Sequence, residues 1–349
     1  MIDCTARNIR SLIKLKALPN LIWNQFMKAV VVGTNGPAVI EASKPVPKPN
    51  EVLVQVRACG LNRADLAVAA GHSHGAIGGA GTIVGMEWAG EVAEVGSQVN
   101  GFKVGDRVMG SGAGGFAQYA VTDWGRVIPI PSSNLSFEQA ATLPVALQTM
   151  HNALVTVGEL KPGATVLIQG ASSGVGLMAL QIARLRGAAL VIGSSTDAVR
   201  RARLNEFGAH LAIDSKDPGW VDQVLKATDG HGVDLIIDQV SGYLANQNLK
   251  ATRILGKIVN VGRLGGMRGE FDFDLHAARR ISYIGVTFRT RSKEEIREIN
   301  ARMRSDLADA VAAGKLSLPI DRSFALDDAV AALDYMKANR HFGKIVLRV

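Results

Sequence analysis

Between Thr165 and Val261 the sequence alternates short apolar, β-branched runs with helix-length stretches, and this rhythm constrains the fold more than any other feature. The expected strands are Thr165–Gln169, Leu190–Gly193, Leu211–Ile213, Val233–Asp238 and Lys257–Val261. The expected helices are Gly174–Arg186, Asp197–Phe207, Trp220–Thr228 and Leu244–Leu255. Strands separated by helices cannot close as hairpins; they align in parallel while the helices cover both faces, which predicts a doubly wound α/β sheet.

The first strand of this series runs into Gly170-Ala-Ser-Ser-Gly174-Val-Gly176 and then into a helix. Small residues at such a turn let backbone N–H groups reach a pyrophosphate, and the helix N-terminus adds partial positive charge. In the usual dinucleotide fingerprint the register is Ala171-x-Ser173-x-x-Gly176, with small residues in place of two glycines. A glycine-rich turn alone is weak evidence, but at the head of successive βα units it predicts dinucleotide binding. The letters also fit a short-chain dehydrogenase loop, yet that loop belongs near the N-terminus. It also requires a Tyr-x-x-x-Lys pair, and none of the four tyrosines has Lys at that spacing.

An acid at the end of the next strand would bind a ribose 2′-OH and repel a 2′-phosphate. Here the segment reads Ile192-Gly-Ser-Ser-Thr-Asp-Ala-Val-Arg200-Arg201: neutral Ser194 and Ser195, a late Asp197, then two arginines. Guanidinium suits a phosphate dianion, which predicts NADPH as cofactor; the alternative is that both arginines are solvated helix residues.

Upstream the text is strand-rich, with Lys28–Val32, Glu51–Ala58, Glu91–Val95, Arg107–Met109, Phe116–Ala120 and Val127–Ile130 punctuated by Gly and Pro, as in an irregular β domain or partial barrel. Ser136-Phe-Glu-Gln139 has capping-box spacing and opens a helical stretch to about Val157. Beyond Ile281–Phe288, helices around Glu294–Ala313 and Leu326–Ala338 precede a last strand, Lys344–Arg348. Residues 1–26 read as an extension, basic through Arg7, Arg10, Lys14 and Lys16, without the apolar core of a secretory signal; a mitochondrial-type presequence and an upstream start codon are the other readings.

Lys plus Arg number 39 against 31 Asp plus Glu, a formal charge of +8, so nucleic acid must be weighed as a partner. No zinc-finger spacing, RNA-binding signature or long basic block is present, and nucleic-acid binding is not expected. No apolar run is long enough for a membrane span. Cys4 and Cys59 are the only cysteines, which excludes a disulfide framework and fits a reducing compartment.

From Met27 to Val349 the chain resembles the medium-chain dehydrogenase/reductase superfamily, and within it the zinc-free quinone oxidoreductases related to zeta-crystallin. The stretches that carry the resemblance are 58–65 (ACGLNRAD), 85–92 (GMEWAGEV), 104–108 (VGDRV), 140–146 (AATLPVA), the loop 170–176, Val233–Asp238 and 343–346 (GKIV). The stretch 284–291 (IGVTFRTR) is similar to the branch that contains a stress-inducible quinone oxidoreductase. The resemblance implies a Rossmann doubly wound parallel sheet inserted into a GroES-like, β-rich catalytic domain. The implied segments are 27–147 and 290–349 for the catalytic domain and 148–289 for the nucleotide domain, with the active site in the cleft between them. It further implies Asn62 and Thr149 beside the nicotinamide, Ser173, Gly174, Val175 and Gly176 at the pyrophosphate, and Ser194 and Arg200 at the adenosine phosphate. Val261, Gly262, Phe288 and Arg289 should line the nicotinamide end or the cleft mouth. A cytoplasmic homodimer is expected on the same basis.

The zinc members of the superfamily differ where their chemistry lies. Their ligand cysteine falls at Asn62 and their ligand histidine at Met86, and neither amide nor thioether suits a tetrahedral Zn²⁺ site. Their four-cysteine structural lobe has no counterpart in the glycine-rich connector Met109–Phe116. No metal is therefore expected. Without a Lewis acid, hydride delivery to a quinone or an α,β-unsaturated carbonyl is favoured, because the acceptor itself delocalises the charge. Asn62 or Arg63 would steady a developing enolate; Arg63 as an outward salt-bridging residue is the alternative. The loop 71–81, with His72 and His74, lacks the aromatic residues common in quinone reductases; its histidines are pocket acids or surface residues. The rival readings are an enoyl-thioester reductase and a non-catalytic NADPH-binding sensor or structural protein.

Overall fold

A computed structural model describes residues 25–131 and 135–349 of the chain. The extension read from the sequence therefore lies, up to residue 24, outside the described residues. The expected parallel sheet is present, in the spatial order Leu211–Ile213, Leu190–Ser194, Thr165–Gln169, Val233–Asp238, Thr252–Asn260, Ser282–Gly285. All neighbours pair in parallel. Counting these strands along the chain gives 3-2-1-4-5-6, the order of a dinucleotide-binding sheet, whose crevice opens where the order reverses beside Thr165–Gln169. Val166, Leu167 and Ile168 are fully buried, because helices lie on both faces.

The second sheet is assembled from both ends of the chain. Glu51–Gly60 pairs antiparallel with Glu87–Val95, with Tyr119–Asp123, and with the last strand Lys344–Arg348. Arg107–Ser111 and Val127–Pro129 extend it on one side, Ile320–Ala325 on the other. A ribbon of Phe26–Gly33 and Gly36–Ser43 bridges to this body at Ala29–Ala117 and Val31–Ile83. The architecture is thus a GroES-like β unit plus a Rossmann sheet. The core of the β unit centres on buried Trp88 and Phe116, separate from the cores on the two faces of the parallel sheet. Among the described residues no helix is long and apolar enough to cross a membrane.

Several boundaries depart from the sequence reading. The helix expected from Ser136 to Val157 comes in three pieces, Phe137–Ala140, Pro144–His151 and a π-helical Asn152–Val157. Pro144 has no N–H to continue the first piece and instead starts the second. The helix expected over Leu244–Leu255 ends at Ala251. There Thr252 Oγ1 donates to the Asn248 carbonyl (2.7 Å), and the chain turns into the strand Thr252–Asn260, with Leu255 at φ 63°. The strand expected at Phe116–Ala120 sits further on, at Tyr119–Asp123, because Phe116 is drawn into the core against Gly85. The helix Arg63–Ala69 and the strands Gly36–Ser43 and Ile320–Ala325 carried no clear periodicity.

Close backbone approach holds the β unit together at Gly90, where an added Cβ would stand 2.0 Å from the Gln55 carbonyl oxygen of the paired strand. Gly90→Ala should therefore force the central strands apart, at a cost of roughly 2–4 kcal/mol. A thermal melt followed by circular dichroism should show the midpoint lowered by about 5 °C or more.

Candidate functional site

The turn after Thr165–Gln169 is shaped for an anion. Ser173 caps the helix Gly174–Leu185, its hydroxyl accepting from Gly176 N (3.1 Å) and donating to Gln239 Oε1 and the Gly170 carbonyl (3.0 Å each). Side chains are excluded on two sides. A Cβ on Gly176 would lie 2.6 Å from the Gly170 carbonyl, and one on Gly174 would lie 2.8 Å from Lys344 Cδ. The helix N-terminus is thus held open to a backbone-bound phosphate, and the residues present fit a dinucleotide.

A cavity of about 790 Å³ runs along the strand ends from this turn. Ser173, Gly174, Val175, Arg200, Val261 and Gly262 line it from the parallel sheet, and Asn62, Arg63 and Lys344 from the β unit. A smaller cavity of about 350 Å³ lies beyond, with Phe288, Arg289, His74 and Met86 on its walls. Asn62, Ala64, Val145, Thr149 and Val261 line both, so the expected nicotinamide neighbours Asn62 and Thr149 stand at the junction. Thr149 Oγ1 makes no hydrogen bond among the described residues.

At one end of the larger cavity Arg63 and Arg200 converge. Asn339, in left-handed conformation at φ 54°, accepts from both guanidiniums, Arg63 on its side-chain oxygen and Arg200 on its carbonyl. Burial and then Arg200 push the Arg63 pKa down, and no acid closer than the 3.8 Å Asp197–Arg200 contact offsets the pair. His341, beside them, is pushed down to about 4 by burial and then by Arg63 and Arg200. Two cations thus flank an imidazole held toward its neutral form at this end of the cavity.

Three side chains are directed in ways the sequence did not indicate. Arg63 is neither at the junction of the cavities nor in an outward salt bridge among the described residues: it opens the helix Arg63–Ala69, and its side chain runs to Asn339 at the far end of the larger cavity. Ser194 lines the larger cavity with Arg200, but its hydroxyl is spent on Gln169 Oε1 (2.6 Å) and Gly170 N (3.0 Å), so it braces the turn. Arg201 turns to Asp214 (3.0 Å) and the Ser195 carbonyl, leaving Arg200 as the arginine of that pair in the cavity.

The largest feature missed in the sequence is a buried ionic cluster under the junction. Lys344 and Glu87, 5% and 0% exposed, pair directly. Asn62 is held between them, its Nδ2 donating to Glu87 Oε1 (2.9 Å) and its Oδ1 accepting from Lys344 Nζ (3.1 Å). Glu87 Oε2 accepts from Val145 N at the head of the next helix (2.8 Å). Asp65 lies close by, fully buried, with Oδ2 on Asn62 N (2.7 Å) and Oδ1 without a partner. Burial pushes its carboxyl up to about 7. The only sequence signal was the spacing of Asn62 and Asp65, that of a helix cap.

A metal finds no set of donors here. Asn62 is an amide, Met86 a thioether, and the Cys59 thiol is buried and points to the Gly115 carbonyl (2.7 Å), its pKa raised by burial. Among the described residues no three His, Cys, Asp or Glu side chains converge.

Comparison with known proteins agrees with the geometry. The family models described as "Alcohol dehydrogenase GroES-like domain" and "Zinc-binding dehydrogenase" match residues 48–132 and 174–305. A phenolphthiocerol/phthiocerol polyketide synthase protein of Mycobacterium tuberculosis is 32% identical over 312 residues, 89% of this chain. This chain spans only 14% of that protein's length. The quinone oxidoreductase of Homo sapiens is 31% identical over 291 residues, 81% of this chain and 87% of that one. Among solved structures, CurK enoyl reductase superposes with a TM-score of 0.80 at 27% identity, covering 93% of this chain and 99% of that one.

Removing Lys344 alone would strand Glu87 in the interior. Lys344→Met should cost about 3–5 kcal/mol, measured by denaturant unfolding, and adding Glu87→Gln should recover part of it. Between pH 4 and 7 folded Asp65 retains a proton that the unfolded chain releases, its pKa rising from the usual 3.8 to about 7. That group's contribution to stability must then fall as pH rises through this window. Asp65→Asn should flatten this part of the stability–pH curve.

Proposed function

The chain belongs to the medium-chain dehydrogenase/reductase superfamily, a family of nicotinamide-dependent oxidoreductases, and we propose that it is an NADPH-dependent, metal-independent reductase of quinones or α,β-unsaturated carbonyls. The observation that carries this reading is the junction of the two cavities. An immobilised amide and an unpartnered hydroxyl meet there, and where zinc enzymes place ligands the side chains are Asn62 and Met86.

The reduced nicotinamide supplies a hydride when bound. The protein's part is to hold the acceptor and to receive its charge. Asn62 cannot swing away, because Glu87 and Lys344 grip both ends of its amide. One of its amide hydrogens remains for an acceptor oxygen, and Thr149 Oγ1–H is a second donor at the same junction. Two neutral donors suffice for an oxygen whose charge is spread over a conjugated system, whereas a localised alkoxide would need a cation. Backbone N–H groups of Gly174 and Val175 hold the diphosphate, and Arg200 with Arg63 and His341 receives the 2′-phosphate.

Enoyl thioesters are the second reading, favoured by the similarity to CurK enoyl reductase. They are reduced at the same β-carbon and need the same donors. The outermost strand Ser282–Gly285 supports a homodimer in which a second copy continues the sheet.

Turnover of NADPH should be followed with benzoquinones, enones and enoyl-CoAs before and after exhaustive chelator treatment. Activity with the conjugated acceptors that survives chelation is expected; stoichiometric zinc, or binding of NADPH with no turnover of any acceptor, would overturn the reading. Arg200→Glu should raise KM for NADPH at least about tenfold and leave KM for NADH within about twofold, since only the phosphate ester loses a charge-assisted bond.

A further inference from the structure

The smaller cavity is lined by Arg126, Arg263, Arg289, Arg291 and His74, and among the described residues by no Asp or Glu. Most of these cations are only loosely held. Arg291 pairs with Glu295 at 3.0 Å. Among the described residues Arg289 Nε reaches only its neighbour Thr287 Oγ1 (3.2 Å), and Arg263 only the Val261 carbonyl at 3.5 Å. His74 is pushed toward its neutral form by burial and then by Arg289 and Arg263, so this wall is already crowded with positive charge.

Arg126 stands apart. It closes the short turn Trp124–Arg126, sharing the cavity wall with Ser111 and Gln148. It is half-buried, and its guanidinium has neither a hydrogen bond nor an ion pair among the described residues; burial pushes its pKa down, and the more distant charge of Asp123 offsets this only in part. The acid nearest in sequence, Asp123, is committed elsewhere, to Arg297 (2.7 and 2.9 Å) and Gly125 N (3.0 Å). Ser111 Oγ is likewise spent on Gln148 Oε1 (3.0 Å). A guanidinium withdrawn from water without a partner is costly, whereas its planar donors suit a bidentate oxyanion. No hydrogen bond or ion pair among the described residues accounts for an arginine here.

We propose that the acceptor of this enzyme is itself an anion, whose carboxylate or phosphate ester docks on Arg126 while its conjugated carbons lie at the Asn62–Thr149 junction. The proposal deepens the reductase reading and rests on it for the identity of the reacting group. The anion seat, however, can be tested without turnover.

Calorimetric titration of the full chain, with and without NADP+, would compare 2-naphthoate and 2-naphthyl phosphate with the uncharged 2-naphthamide. At least one anion is expected to bind about tenfold or more tightly than the amide. Arg126→Gln should bring that anion to within about twofold of the amide, and Arg126→Lys should restore part of the gap. The tighter of the two anions assigns the group as carboxylate or phosphate. Equal binding of all three probes would overturn the proposal, as would full anion preference in an Arg126→Gln protein whose melting curve is unchanged. Failure to reduce any quinone or enone would sink the reductase reading while leaving this result standing.

Discussion

The buried pair of Lys344 and Glu87 is the contact on which the cleft depends. It joins the final strand of the chain to the strand beginning at Glu87, and through Val145 N it fixes the start of the helix that carries Thr149. The aliphatic stem of Lys344 lies against Gly174, so the same residue seats the nucleotide turn on the β unit. Charges this deep are favourable only when every lone pair and proton is used. Glu87 meets that condition with Lys344, Asn62 and Val145 N, and Asn62 is immobilised as a consequence. A rigid amide at the junction of the two cavities is thus a by-product of a cross-link within the β unit that also reaches Val145 N. Asp65, beside it, lacks a partner for one oxygen, and burial keeps its carboxyl close to neutral.

The formal charge of +8 is not simply spread over the surface. Some arginines are neutralised in structural pairs, such as Arg297 with Asp123 and Arg201 with Asp214. Others face the cavities with no strong acid partner: Arg63 and Arg200 at the far end of the larger one, Arg126, Arg263 and Arg289 in the smaller. Positive charge inside low-dielectric walls concentrates the field on whatever enters. The neutral donors, Asn62 and Thr149, occupy the ground between these two positive regions.

The strands of the parallel sheet were readable almost residue by residue, because a strand buried on both faces must be a continuous β-branched and apolar run, as in Thr165–Gln169 and Val233–Asp238. The nucleotide turn was readable for a similar local reason: small residues between a strand and a helix have few other uses. Legibility fell where the chain serves a distant partner. Leu244–Leu255 has helical composition throughout, yet beyond Ala251 pairing with Val233 draws it into the sheet. Ile320–Ala325 shows little alternation, since it is an edge strand defined by Lys344–Arg348. Arg63 and Ser194 lay in plausible positions along the chain, but which way each side chain turns is set by Asn339 and Gln169, far away in sequence.

The sequence alone therefore determined the fold family, the place of the dinucleotide turn and the absence of zinc-ligand residue types at Asn62 and Met86, because all three are properties of neighbours in the chain or of side-chain chemistry. Only the tertiary structure decided that Lys344, Glu87, Asn62 and Asp65 form one cluster, that Asn339 gathers Arg63 with Arg200, and that Arg126 has no hydrogen bond or ion pair among the described residues. Each of these joins segments up to 282 residues apart or depends on what fails to approach. Charge pairing and desolvation are functions of distance in space, and no local pattern encodes them.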